Sequence, residues 1–232
     1  MTETSSEMTE KLEASNSELT PQQQYKNILE KALQSAILLN KIIRGKSVEE
    51  YSDEELSEAI FTQSNVVTKE EIIEWISNYG LDTVEELDGA CDTAFTVVYL
   101  HYLLEEAKKR DYIKVNYKHT NLITLLGNLV MSNLPLDDDE YYDTFEEAMD
   151  RVIENNMSKV TTDVEDFKKW ESPKGENLIP KSTVVDGTRY YLLVNAEGKC
   201  RKPDHFVGVD LTDLAGRLEN QWNGIEDDKE EN

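Results

Sequence analysis

Two cysteines in 232 residues are too few to frame a disulfide-stapled fold, and Cys91 has no histidine near it in sequence. It reads as a small buried side chain in a helical pattern. The three histidines, His101, His119 and His205, are far apart and lack the spacing of metal ligands. Basic residues number 24 against 48 acidic ones, a net charge of −24 with a pI near 4.4. A protein that grips nucleic acid through phosphates needs clustered Lys and Arg, so direct nucleic-acid binding is not expected. Docking on anionic membranes is disfavoured for the same reason. No apolar run approaches the roughly 20 residues of a membrane span. The first residues, MTETSSEMTEKLEASNSELTP, show neither a basic start nor an apolar segment, so no secretory signal is visible. No G-x-x-x-x-G-K-[ST] loop is present, which argues against a P-loop enzyme. These absences point to a cytoplasmic protein in a reducing setting.

What is present is 38 % apolar residues, enough for one core. Residues 1–20 and 225–232 have the composition of acidic tails. Between them, 21–160 reads as a helical domain and 161–224 as an extension holding a β-hairpin. Tyr25, Ile28, Leu29, Ala32, Leu33, Ala36, Leu39, Ile42 and Ile43 recur at helical spacing, and Gly45 marks a stop. Ser52 to Glu55 has capping-box spacing. Thr68-Lys69-Glu70-Glu71 predicts the start of a helix to about Asn78, with Gly80 at its left-handed end. Thr83-Val84-Glu85-Glu86 predicts the next, to about Arg110. The short connection makes the pair an antiparallel hairpin. Further helices are predicted over 122–130 and 144–155, and TRYYLLVNAEGKCRK reads as a β-hairpin turning at Ala-Glu-Gly. The fold class is mostly α.

The most informative stretch is 68–92. Glu70, Glu71 and Glu74 form E-E-x-x-E, with Glu74 about 40° from Glu70 and about 60° from Glu71 around the helix. Glu85, Asp88 and Asp92 fall within about 60° of arc on the second helix. Counted from the loop, Glu74 pairs in height with Asp88, and Glu71 with Asp92. Facing carboxylates repel unless a cation sits between them or some stay protonated. Oxygen-only ligands suit Mg²⁺ holding a polyphosphate. Capping boxes at Glu71 and Glu86, and helix dipoles at Glu70 and Glu85, are the alternative explanation. They leave Glu74, Asp88 and Asp92 unexplained.

These residues resemble the all-α nucleoside triphosphate pyrophosphohydrolase superfamily that includes MazG and the dimeric dUTPases. The stretch Glu85-Leu87-Asp88-Gly89-Ala90-Asp92-Ala94-Phe95 is similar to that of MazG-like phage and bacterial proteins. So are Asn156-Met157-Ser158-Lys159 and the run Gly198-Lys199-Cys200-Arg201-Lys202-Pro203, followed by Asp210-Leu211. The resemblance covers roughly 55–160 and 188–212. It implies a MazG-like helical bundle with a small C-terminal β-hairpin, assembled as a homodimer or homotetramer, in a host cytoplasm if phage-encoded. The implied activity is Mg²⁺- or Mn²⁺-dependent cleavage of a nucleotide between its α- and β-phosphates, giving a monophosphate and pyrophosphate. Glu71, Glu74, Asp88 and Asp92 match metal positions, with Glu85 a further candidate ligand. Glu70, Glu71, Glu74 and Lys159 are the catalytic candidates. Asn156, Lys159, Lys199 and Lys202 are the substrate-binding ones. The run Tyr99-Leu100-His101-Tyr102 and the long 108–143 segment depart from the family pattern. A second reading of so acidic a chain is a non-enzymatic interaction protein, a DNA mimic or a degenerate MazG-like scaffold that binds a host protein.

Overall fold

The computed structural model describes residues 20–110, 117–132, 134, 139–196 and 198–223, and the two acidic tails lie outside them apart from Thr20. Helix α1 (Pro21–Arg44) starts at a capping box, with Thr20 accepting from the Gln23 N–H and the Gln23 side chain reaching back. It stops at Gly45, whose φ of 80° turns the chain and whose N–H donates to the Lys41 carbonyl at 2.8 Å. Ile28, Ala32, Ala36, Leu39 and Ile42 form its buried stripe. Helix α2 (Asp53–Thr62) begins at the Ser52–Glu55 capping box that the spacing predicts.

The next boundary differs from expectation. Helix α2 passes through a π-helical turn, Gln63–Val67, straight into α3 (Thr68–Asn78). Thr68 is a buried interior position, where the Gln63 side-chain amide donates to its hydroxyl at 3.5 Å and to the Thr96 carbonyl at 3.0 Å. Glu71 is therefore not a capping partner. Helix α3 ends at Tyr79, and Gly80, at φ 69°, makes the turn. Helix α4 (Thr83–Lys109) is capped by Asp82 rather than Thr83: its carboxylate accepts from the Val84 and Glu85 N–H groups at 3.0 and 3.2 Å. Glu86 instead accepts from the Gly80 N–H at 2.7 Å and ties down the loop.

Helices α5 (Tyr117–Ser132) and α6 (Asp139–Met157) extend beyond their predicted ends. After α6 come β1 (Val160–Thr161), the single turn α7 (Val164–Phe167), β2 (Ile179–Val185), β3 (Thr188–Val194), β4 (Cys200–Arg201) and α8 (Thr212–Trp222). The sheet is antiparallel in the order β1-β3-β2, with β4 also on β3. The predicted hairpin is present as the short β3–β4 ladder, Leu193 opposite Arg201 and Val194 opposite Cys200. A longer hairpin, β2–β3, turns at Asp186-Gly187, both at positive φ (50° and 81°), as a two-residue turn between twisted strands requires.

The fold is thus mostly helical with a small C-terminal sheet, and one core runs from Ile28 to Leu218. Helix α4 is its axis, packed by α1, α3, α5, α6 and α8. Cys91, Ala94, Leu100 and Leu103 on it are fully enclosed. Two glycines set how closely its neighbours approach. A Cβ on Gly127 of α5 would meet Val97 Cγ2 at 2.4 Å, and one on Gly89 would meet the backbone of Trp75 at 3.0–3.1 Å. Alanine is the better helix former by about 1 kcal/mol, but forcing α3 off α4 costs about 1–3 kcal/mol. Gly89→Ala is therefore expected to lower stability in chemical denaturation. Gly216→Ala in α8, where a Cβ meets nothing, is expected to raise it by about 0.5–1 kcal/mol.

Candidate metal centre

The close α3–α4 contact at Trp75 and Gly89 sets the level of the neighbouring carboxylates, Glu74 and Asp88, with Glu71 and Asp92 about one turn further from the loop. Glu71, Asp88 and Asp92 are half-buried and Glu74 is exposed. Every one of the four holds its proton more tightly than an ordinary carboxyl group. For Glu71, burial and then the charges of Asp92 and Glu74 push the pKa up to about 8, against an opposing pull from Lys159. For Asp88, burial and then Asp92 and Glu85 push it up to about 7. Burial and Asp92 raise Glu74, and burial raises Asp92 against the pull of Lys159 and Asn156. Glu85 is exposed and acts from the rim. Glu70 is exposed and outside this set of mutually repelling groups.

Helix α6 brings the polar side chains that close the site. Asn156 donates to Asp92 Oδ1 at 3.4 Å and to the Val152 carbonyl at 3.1 Å. The Lys159 ammonium donates to Asn156 Oδ1. Lys159 is half-buried, and desolvation lowers its pKa. Its position follows from the sheet. Val160 pairs with Leu192, so the chain leaving α6 is stitched to β3, and Cys200 on β4 donates its thiol to the Lys159 carbonyl at 3.7 Å.

Beyond Lys159 opens a cleft of about 420 Å³ that Lys199, Arg201 and Lys202 also line. Lys202 lies 4.1 Å over the Phe206 ring and reaches Asn155 at 3.5 Å. Its charge acts on Asp88 and Asp92, joining the cleft to the carboxylates. Arg201 grips Glu176 through two contacts at 3.2 Å. Phe206 and Glu176 escape sequence reasoning because they lie in irregular segments with no periodicity to place them.

The structure therefore brings together Glu71, Glu74, Asp88, Asp92, Asn156, Lys159 and Lys202, with Glu85 at the rim and Lys199 across the cleft. Among the described residues, no three His, Cys, Asp or Glu side chains are drawn close enough to hold a metal ion as they stand. The donor chemistry nonetheless fits a hard cation. Every carboxylate supplies oxygen, and Asp88 Oδ1 is buried with no hydrogen-bond partner. A buried carboxylate oxygen without a donor lacks the compensation that a cation supplies.

Other histidine and aromatic side chains have structural roles. His101 pairs with Asn128 at 3.2 Å, Tyr141 and Tyr142 are buried, and Trp170 packs on Phe167 and His205. Tyr99 is buried, and Tyr102 donates to Glu49 at 2.7 Å. The His119 side chain lies outside the described residues. Among the described residues no helix is long and apolar enough to cross a membrane. No family model, curated protein or solved structure matches the chain.

The raised carboxyls make stability depend on pH with a definite sign. Each group is protonated in the fold up to a higher pH than in the unfolded chain, so its contribution is complete below the unfolded pKa near 4 and is lost as pH rises through the folded value. The metal-free protein is expected to lose thermal stability steadily from about pH 5 to about pH 8. Glu71→Gln should flatten that slope, and melting temperatures across this range, measured in chelator, check both.

Proposed function

We propose that this protein is a Mg²⁺-dependent nucleotide pyrophosphohydrolase, cleaving a nucleoside triphosphate or a related nucleotide between its α- and β-phosphates. The observation that carries this reading is the meeting of two chemistries. Four proton-hungry carboxyls, one with an orphaned oxygen, face each other on α3 and α4. A lysine-lined cleft adjoins them in a chain of strongly negative charge. Carboxylates alone would repel a polyphosphate, and lysines alone would not activate water. Side by side they suit a substrate that arrives with a divalent cation.

Glu74, Asp88 and Asp92, with Glu85 at the rim, are the residues that would hold the cation. When bound, Mg²⁺ supplies Lewis-acid polarisation of phosphate oxygens and of the attacking water. Glu71 is the general base: burial, with the charges of Asp92 and Glu74, raises its carboxyl to a pKa of about 8, as a base working near neutral pH requires. It takes the proton of a water whose oxygen bonds to the α-phosphorus, while the bond from that phosphorus to the α–β bridging oxygen breaks. Lys159 neutralises charge accumulating on the departing pyrophosphate, and Asn156 keeps the ammonium oriented through its side-chain oxygen. Lys199 and Lys202 bind the outer phosphates. Glu70, standing apart, has no role in this scheme.

A panel of nucleotides incubated with and without Mg²⁺ or Mn²⁺ tests the proposal through pyrophosphate release. Release from at least one member, only with metal, is expected. Glu74→Gln and Asp92→Asn should each reduce it by about a hundredfold or more while the circular dichroism spectrum is unchanged. No release from any member with metal present would overturn the reading and favour the interaction-protein alternative.

A further inference from the structure

The cleft beyond Lys159 is larger and more varied than a departing pyrophosphate requires. At about 420 Å³ it lies in the range of pockets that enclose whole small molecules, and pyrophosphate would fill only about a third of it. The ammonium groups of Lys159, Lys199 and Lys202 and the Arg201 guanidinium suit phosphate oxygens. The rest of the wall does not. Glu176 and Asp204 add carboxylates that repel an inorganic anion, and Phe206 adds an aromatic ring whose electron-rich face repels it too. These elements are held in place. Arg201 grips Glu176 through two contacts at 3.2 Å. The loop carrying Asp204 and Phe206 is fastened at three points: the Asp204 N–H donates to the Glu171 carbonyl at 2.9 Å, the Asn155 amide to the Val207 carbonyl at 3.1 Å, and Arg151 to the Asp210 carbonyl at 2.9 Å. Phe206 takes no part in the core, and its ring meets the Lys202 ammonium at 4.1 Å.

What misfits phosphate fits the other parts of a nucleotide. Carboxylate oxygens accept from ribose hydroxyls in charge-assisted hydrogen bonds, and an aromatic face stacks on a base. Direction decides which nucleoside they hold. Lys159 feels the charge of Asp92, and the cleft opens beyond it, on the side to which the group leaving the α-phosphorus departs. A nucleoside held there belongs to the leaving group. We propose that the substrate carries a second nucleoside at the far end of its phosphate chain, which makes it a dinucleoside polyphosphate. The inference rests on the pyrophosphohydrolase reading and narrows its substrate class. The oxygen of water bonds to the α-phosphorus, a water proton passes to Glu71, and the bond from that phosphorus to the α–β bridging oxygen breaks with its electron pair left on the oxygen. A dinucleoside tetraphosphate then gives a nucleoside monophosphate and a nucleoside triphosphate. Mononucleoside triphosphates fill only part of the cleft and are the poorer substrates.

Diadenosine and diguanosine tetraphosphate, compared with ATP and GTP in Mg²⁺ by chromatography of the products, test the assignment on the full chain. For at least one base, the dinucleoside compound should be split into mono- and triphosphate with kcat/KM about tenfold or more above that of the matching triphosphate. Oxygen from isotopically labelled water should enter the monophosphate. Phe206→Ala should lower this preference by about tenfold with the circular dichroism spectrum unchanged, and Phe206→Tyr, which keeps an aromatic face, should retain it. Binding gives a readout independent of turnover: in chelator, calorimetry should show ATP or GTP, the leaving groups, bound about tenfold more tightly than pyrophosphate. Triphosphates cleaved to pyrophosphate, with the dinucleoside compounds no better, would overturn this inference and leave the pyrophosphohydrolase reading intact. No cleavage of any compound would overturn both. Symmetric cleavage to two diphosphates, a preference that Phe206→Ala leaves unchanged, or triphosphates bound no more tightly than pyrophosphate would each overturn the inference alone.

Discussion

The hairpin of α3 and α4 is held at a spacing its charges resist. Backbone contact at Trp75 and Gly89 draws two helices together with carboxylates on their facing sides, and Leu87, Ala90, Cys91 and Ala94 anchor α4 in the core. The apolar packing on the far side of α4 opposes the repulsion on the near side. The site is thereby preorganised in backbone and frustrated in charge. Were the helices free to separate, Glu71 and Asp88 would lose the burial and mutual repulsion that raise their pKa values.

The C-terminal third completes what the hairpin begins. Pairing of Val160 with Leu192 fixes the end of α6, and the same sheet presents Cys200 and Lys202. Positive charge is concentrated where negative charge has been forced together, so the field changes sign over a short distance at the mouth of the cleft. An anion approaching so acidic a protein meets repulsion at long range, and lysine and arginine side chains only at the cleft itself. On the proposed reading, a substrate that arrives as its divalent-cation complex carries less net charge and meets less of that repulsion.

Much of this was legible in the residue order, for identifiable reasons. The helices declared themselves through three- and four-residue spacing, through Gly45 and Gly80 as stops, and through the Ser52 box. The facing of Glu74 with Asp88 followed from counting outward from a short loop, which works because both helices rise by the same increment per residue. The start of α3 was not legible. Thr68 and Glu71 have capping-box spacing, but the chain was already helical there, and nothing local marks a π turn. The β2–β3 hairpin was hidden because Pro180, Lys181 and Ser182 break the alternation, although Asp186-Gly187 carries the turn chemistry. Helix α8 was obscured by Gly216 in the middle of a short segment whose only buried apolar residues are Leu214, Ala215 and Leu218. The arrival of Asn156 and Lys159 beside Asp92 depends on strand pairing more than 30 residues downstream, which no local pattern encodes. The resemblance to MazG-like proteins rested on motif residues, and their meeting at one site is a matter of geometry that the motifs by themselves do not contain.

The π turn between α2 and α3 gives the fold a tolerance that a regular helix would lack. One added residue shifts the angular phase of everything downstream by about 100°. It lets the upstream segment keep Leu56 and Ile60 in the core while Ile72 and Trp75 meet α4 in their own register. Deleting a single position between 63 and 67 would leave the rod equally long to within a couple of ångströms, yet would set these two seams at odds. The length of this segment, more than the chemistry of any side chain in it, is therefore the quantity that natural variation should hold constant.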